Sequence, residues 1–170
     1  MSYNNKLSKK IVEASAISRL LNLDRFFSKK IVFTNGCFDI LHQGHVTYLA
    51  EAASSGNRLI VAVNADASVK KLKGENRPVN NEHSRALLIA SLHVVDAVII
   101  FPEDTPLELI KELHPDVLTK GGDYDPEISD TKNAKYIVGS DVVKQKGGKV
   151  ISIPFVEGFS TTGILQKLNS

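Results

Sequence analysis

Five short runs of aliphatic and β-branched residues, each followed by a segment of helical spacing, constrain this chain most. The runs are KKIVFTNG, RLIVAVN, DAVIIF, DVLTKGGD and KVISI. Their apolar residues are consecutive rather than alternating, the mark of strands buried on both faces. The strand–helix alternation predicts an α/β domain, a doubly wound parallel sheet of about five strands. At 170 residues the chain is the size of one domain. We divide it into an N-terminal helical extension over 1–28 and a single domain over 29–170.

In the extension, Ile11, Ala14, Ile17, Leu20 and Leu21 fall at helical spacing and predict one short helix. Val46, Leu49, Ala50 and Ala53 mark a helix that closes at Gly56. Residues 67–80 carry Lys70, Lys71, Lys73 and Arg77 with little periodicity and read as a long basic loop. Helices are expected over 82–94, over the PLELIKEL segment, and over 132–146 through Ala134, Ile137, Val138 and Val142. STTGILQKL is the closing helix.

Composition excludes several classes. Apolar residues are 42% and charged residues 24%, so the chain is neither disordered nor fibrous. A net charge of +2 and the absence of Trp give no push toward nucleic acid or an anionic membrane. The apolar stretch around Val94 to Phe101 is broken by Asp96 and falls far short of the ~20 residues of a membrane span. The N-terminal residues lack the apolar core of a signal peptide. The single cysteine, Cys37, cannot form an intramolecular disulfide. These features predict a soluble, cytoplasmic protein.

In open parallel sheets, ligands bind beyond the carboxyl ends of the strands. Four unusual segments lie there. After the first strand comes Asn35-Gly36-Cys37-Phe38-Asp39, then His42-Gln43-Gly44-His45 as a helix begins. A helix start carries free N–H groups and a partial positive charge, and Gly44 lets a bulky anion approach. Neither GxGxxG nor GxxxxGK[ST] is present, so this is a different phosphate device. The second segment holds Lys70, Lys71, Lys73 and Arg77, with Arg85 on the following helix; these are oxyanion partners. The third is Lys120-Gly121-Gly122-Asp123-Tyr124, where Asp123 can accept from sugar hydroxyls or face a metal. The fourth is Gly158-Phe159-Ser160-Thr161-Thr162, another anion-binding helix start. Together they imply a polyphosphate substrate.

Each segment alone has a plainer explanation. Paired histidines at a helix start can be solvated surface, a lysine run can be a solvated face, and Ser160 can be an ordinary cap. Zinc held by Cys37 and the two histidines lacks a fourth ligand at metal-like spacing. A Cys37–His nucleophile is the weaker reading beside Cys37 as a filler. The coincidence of four such segments at strand ends favours the functional reading.

NGCFD followed by HQGH resembles the HxGH signature of the cytidylyltransferase-like nucleotidyltransferases, and STTGI resembles their second signature. Within them, KKLKGENRPVN, TKGGDY and EGFSTTGIL are similar to the heptose 1-phosphate adenylyltransferases of ADP-heptose synthesis, over about Lys30 to Leu168. The resemblance implies a Rossmann-like fold and transfer of AMP from ATP to a heptose 1-phosphate for lipopolysaccharide core synthesis. It implies His42, His45 and Lys73 as catalytic residues. Nucleotide contacts would come from Asn35, Gly36, Cys37, Phe38, Gly44, Arg85, Gly121, Asp123, Gly158, Ser160, Thr161 and Thr162. Lys70, Lys71 and Arg77 would hold the substrate phosphate. Mg²⁺ would be bound mainly through nucleotide phosphates, with no protein metal site. A homodimer and a separate sugar kinase upstream are the implied partners. Two departures stand out: His83-Ser84 precede Arg85 where the family often has Glu-Gln, and Phe155 stands where glycerol 3-phosphate cytidylyltransferases carry Arg. A cytidylyltransferase for a polyol phosphate, an adenylyltransferase for another small phosphate, and a nucleotide-binding regulatory module remain alternatives.

Overall fold

The computed structural model describes residues 3–122 and 124–168. The elements run α1 (Tyr3–Ser8), α2 (Ala14–Phe26), β1 (Ile31–Gly36), α3 (Gln43–Ala53), β2 (Arg58–Asn64), α4 (Asp66–Lys73), α5 (Glu82–Ser91), β3 (Ala97–Phe101), α6 (Leu107–Leu113), β4 (Val117–Gly121), α7 (Ser140–Gln145), β5 (Lys149–Ile153) and α8 (Thr161–Leu168). The five strands form one sheet in the order β3-β2-β1-β4-β5, and every pairing is parallel. This is the doubly wound α/β fold that the apolar runs predict.

Both sheet faces are buried, which explains why the strand sequences do not alternate. Ile31 and Phe33 of β1 point into one core with Ile60, Ile110 and Leu118. Val32 points the other way, with Leu49, Val61 and Ile89. The second helix belongs to the first of these cores, because its Ile17 and Leu21 are fully buried. Burying such a side chain stabilises the fold by about 1.5–3 kcal/mol.

Three sequence expectations are corrected. Ile11 is not helical: it forms a parallel bridge to Val98 of β3, with Val12 N–H donating to Val98 O and Val98 N–H donating to Lys10 O. That backbone covers an otherwise open sheet edge. The basic loop is in its first half the helix α4, whose Ser68 and Val69 are buried and which stops at Gly74. The helix expected over 132–146 is confined to α7. Upstream, Asp130 and Asn133 accept from the N–H groups of Lys132 and Lys135, turning the chain instead. Gly139 then sits at φ 84°, where a Cβ would meet Ile110 at 2.6 Å. Among the described residues no helix is long and apolar enough to cross a membrane.

Candidate active site at the β1–β4 switch point

Strand order reverses between β1 and β4, so the loops leaving these two strands diverge and open a crevice. A cavity of about 390 Å³ lies there, within the ~300–1,000 Å³ range of small-ligand sites. Its floor is Asn35 to Asp39, from the end of β1 into the loop that follows, and one wall is His42, Gly44 and His45. Lys73 closes one side, Lys120, Gly121 and Tyr124 another, and Phe155, Val156 and Phe159 to Thr162 cover it.

Asp39 fastens the floor. It is buried and accepts from Arg77 Nε at 2.6 Å and from the backbone N–H groups of Val79 and Asn80 at 2.8 and 3.0 Å. Burial alone would raise its pKa, but these three donors outweigh burial and hold the carboxyl below its ordinary value. The loop after α4 is thereby tied to the loop after β1.

His42 is the N-cap residue of α3, with extended backbone and no capping bond from its side chain. Its ring stacks on that of His45, which also meets the Phe38 ring edge-on. A Cβ at Gly44 would press on the His42 ring at 3.1 Å and on Phe159 at 3.2 Å, so a larger residue there would have to displace one or both by a few tenths of an ångström. The Nδ1 atoms of both histidines are buried without a hydrogen-bond partner. Burial first, then the neighbouring His42 and Lys73, push His45 down to about 4, offset only in part by the nearby Ile40 backbone. Burial also lowers His42. Both rings are therefore neutral near pH 7, each with a buried nitrogen that a ligand can satisfy.

Ser160 caps α8, its Oγ accepting from the Gly163 N–H at 3.0 Å. The helix start with Thr161 and Thr162 faces the cavity. Opposite, Lys120 Nζ donates to Asn35 Oδ1 at 3.0 Å and lies 5.4 Å from the centre of the Tyr124 ring. Burial pushes this ammonium down to about 8, partly opposed by nearby Cys37. Beneath the floor, Tyr48 links Thr34 and Thr119 by hydroxyl hydrogen bonds at 2.5 and 3.3 Å.

The structure gathers His42, His45, Lys73, Asn35, Gly36, Cys37, Phe38, Gly44, Gly121, Ser160, Thr161 and Thr162 around one cavity. Other expected members are elsewhere. Arg85 is corrected outright: it is fully buried and its donors are spent on Asn80 O, Cys37 O, Asn64 O and Asp66 Oδ1, so it organises the site from behind. Arg77 holds Asp39 through Nε while its buried Nη2 has no partner, and Lys71 pairs with Asp104 in solvent. Lys70, Lys71, Arg77 and Gly158 do not line the cavity. Asp123 lies outside the described residues. Sequence reasoning placed Lys120 and Phe159 within strand-end ligand segments without giving them a role of their own, and missed Tyr48 and Val156 as lining. A lysine inside the buried run VLTKG was a signal, since an unpaired strand-interior cation is costly without a role. Among the described residues, no three His, Cys, Asp or Glu side chains gather to hold a metal ion.

Comparison with known proteins places this geometry in a family. A sequence model described as Cytidylyltransferase-like matches residues 33–167. The bifunctional protein HldE of Geobacter metallireducens is 49% identical over 94% of this chain and 31% of its own length. That of Nitratiruptor sp. is 56% identical over 84% of this chain and 28% of its own. The chain thus spans about a third of the length of these relatives. The lipopolysaccharide core biosynthesis protein of Thermoplasma volcanium superposes with a TM-score of 0.57 at 31% identity, covering 75% of this chain and 97% of that one. Pantoate-beta-alanine ligase from Francisella tularensis, at 16% identity and TM-score 0.61 over 94% of this chain and 76% of its own, shares the fold. With the HxGH turn, the second signature at α8 and this parallel sheet in one chain, the protein belongs to the cytidylyltransferase-like family.

Proposed function

We propose that the chain transfers AMP from ATP to a heptose 1-phosphate, giving ADP-heptose and pyrophosphate in the cytoplasm for lipopolysaccharide core synthesis. The observation that carries this is the pair of neutral histidines with unsatisfied buried nitrogens, facing two lysines and a helix start across one cavity. The heptose-type runs KGENRPVN and TKGGDY, and the HldE relatives, support the acceptor.

The reaction asks for positioning more than covalent chemistry. An oxygen of the sugar phosphate attacks the α-phosphorus, and the bond from that phosphorus to the bridging oxygen of pyrophosphate breaks. The sugar phosphate has a second pKa near 6, so it is ionised at pH 7 and no strong base is needed. His42 and His45 donate to the α-phosphate as charge builds. Lys73 and Lys120 offset the repulsion between the two anions. Ser160, Thr161 and Thr162 with the α8 N-terminus hold the departing β,γ-phosphates. Asp39 is the one carboxylate among the described lining residues, and its oxygens are occupied. Any Mg²⁺ would be held mainly through the nucleotide's phosphates and would supply charge neutralisation there.

Pyrophosphate release with ATP or CTP, crossed with heptose 1-phosphate or glycerol 3-phosphate, tests the assignment. ATP with heptose 1-phosphate should give the highest kcat/KM. Phe155 supplies no guanidinium to a small dianion, a loss of about 10- to 150-fold for glycerol 3-phosphate. A higher value for CTP with glycerol 3-phosphate would overturn the substrate while leaving the transfer chemistry in place.

A further inference from the structure

A second cavity, of about 230 Å³, adjoins the first and is lined in part by Asn35, Lys120, Tyr124, Thr131, Asn133 and Tyr136. The first three also line the main cavity, so the two spaces meet at a shared wall. It is smaller than the ~300–1,000 Å³ typical of drug-sized ligands, which suits one monosaccharide rather than a nucleotide. Its wall chemistry also differs. The main cavity offers imidazoles, ammonium groups and a helix start. The second sets the hydroxyl and amide groups of Thr131, Asn133, Tyr124 and Tyr136 beside apolar Pro106, Ala134, Ile137 and Val138, partners for the polar edge and the apolar face of a hydroxylated ring. Lys120 is the one cation among its described lining residues, and it stands on the shared wall.

The wall from 131 to 138 is set before any ligand binds. Asp130 and Asn133 each accept from a backbone N–H two residues on, and Tyr136 donates to Asp141 at 2.9 Å. The carbonyl oxygen of Asn133 is used in this turn, and its amide NH₂ is left for a hydroxyl. Side chains fixed by such local bonds lose little freedom when they take a ligand.

We propose that this second cavity is the acceptor subsite, holding the hydroxylated ring of the sugar 1-phosphate with its phosphate directed at Lys120. The inference rests on the adenylyl transfer proposed above. It divides the labour: the nucleotide fills the main cavity, and the acceptor reaches the α-phosphate past Lys120 and Asn35. Lys120 then touches the attacking phosphate, and Thr131 and Asn133 select for a ring with hydroxyl groups.

The double variant Thr131→Val/Asn133→Asp tests this in steady state with ATP and heptose 1-phosphate. Aspartate keeps the turn acceptor but loses the amide donor and repels the sugar phosphate, and valine removes a hydroxyl. The acceptor KM should rise at least about tenfold, with the ATP KM within about twofold of wild type. Should the double variant not fold, Thr131→Val alone carries the test, since Thr131 is exposed; about a threefold rise in acceptor KM is then expected. An unchanged acceptor KM in a folded variant, with wild type active, overturns the subsite and leaves the proposed reaction standing. A rise confined to the ATP KM overturns it too. Wild type inactive with these two substrates removes the reaction and the subsite together.

Discussion

The imidazoles of His42 and His45 lie face to face, their centroids 3.9 Å apart and their planes 21° from parallel. Two charged rings at that separation would repel strongly, so the stack itself favours the neutral pair. A neutral imidazole still donates one hydrogen bond, and here each ring has an unsatisfied buried nitrogen. His42→Ala and His45→Ala should each lower kcat at least about 100-fold, because a donor aimed at developing oxyanion charge contributes about 2.7–4 kcal/mol. Single-turnover rates alongside melting temperature check this. Near wild-type turnover in either well-folded variant would remove that ring from the chemistry.

The same pair makes the fold sensitive to mild acid. His45 titrates at about 4 in the folded protein against 6.5 when unfolded. A base with a depressed folded pKa binds more protons in the unfolded chain, so its contribution is complete above pH 6.5 and fades as pH falls toward 4. The loss is at most about 3 kcal/mol, and less once partial exposure of the ring is counted. The lowered pKa of His42 adds in the same direction. Asp39 and Asp24 lie below their ordinary 3.8 and lose their contribution at lower pH. Urea midpoints at pH 7 and pH 5 should differ more for wild type than for His45→Gln. Equal differences would contradict the assignment.

Arg85 separates a supporting role from a binding one. Its guanidinium bridges the carbonyls of Cys37, Asn64 and Asn80, at the ends of β1 and β2 and at the start of α5. Arg85→Met would strand these acceptors, at about 1–3 kcal/mol for each group left buried. A loss of at least about 3 kcal/mol corresponds to a fall in melting temperature of roughly 6–12 °C. Arg85→Lys should recover little, since one ammonium cannot span three carbonyls. A melting temperature unchanged in Arg85→Met would return Arg85 to the ligand.

Arg85 also shows what the sequence could not tell. An arginine after a basic stretch reads as an anion contact, because its partners are backbone carbonyls, two of them from the distant ends of β1 and β2, and carry no side-chain signature. The α4 helix was hidden for a related reason. Its buried face is little more than Ser68 and Val69, too short to register as a period, and three of its eight residues are lysines. Strands fared better, since IVFTNG and RLIVAVN are buried on both faces and need no partner to be recognised. His42, His45 and the α8 start were legible because their motif and their position at strand ends coincide. Phe155 and Phe159 stood in or beside legible segments, but that they close over the cavity together with Val156 was not legible, since apolar residues in a loop look alike until the fold brings them over a cavity.

Gly122 and Phe155 offer the sharpest test of that cover. Gly122 sits at φ 102°, a conformation that L side chains rarely adopt, and a Cβ there would stand 2.4 Å from the Phe155 ring. Phe155 is 70% exposed, so its ring can swing away rather than distort the strand end. Gly122→Ala should therefore cost about 1–3 kcal/mol in stability from backbone strain alone. Its second effect is to push the ring from the position it holds beside the cavity. The nucleotide KM should then rise about as much as in Phe155→Ala, since both remove the same wall. In the double variant the two effects should not add in KM, while the stability cost of Gly122→Ala should persist. A double variant whose nucleotide KM rises by the product of the two single effects would mean that Gly122 reaches the ligand by another route. The comparison needs four proteins, one nucleotide titration each and one melting curve each.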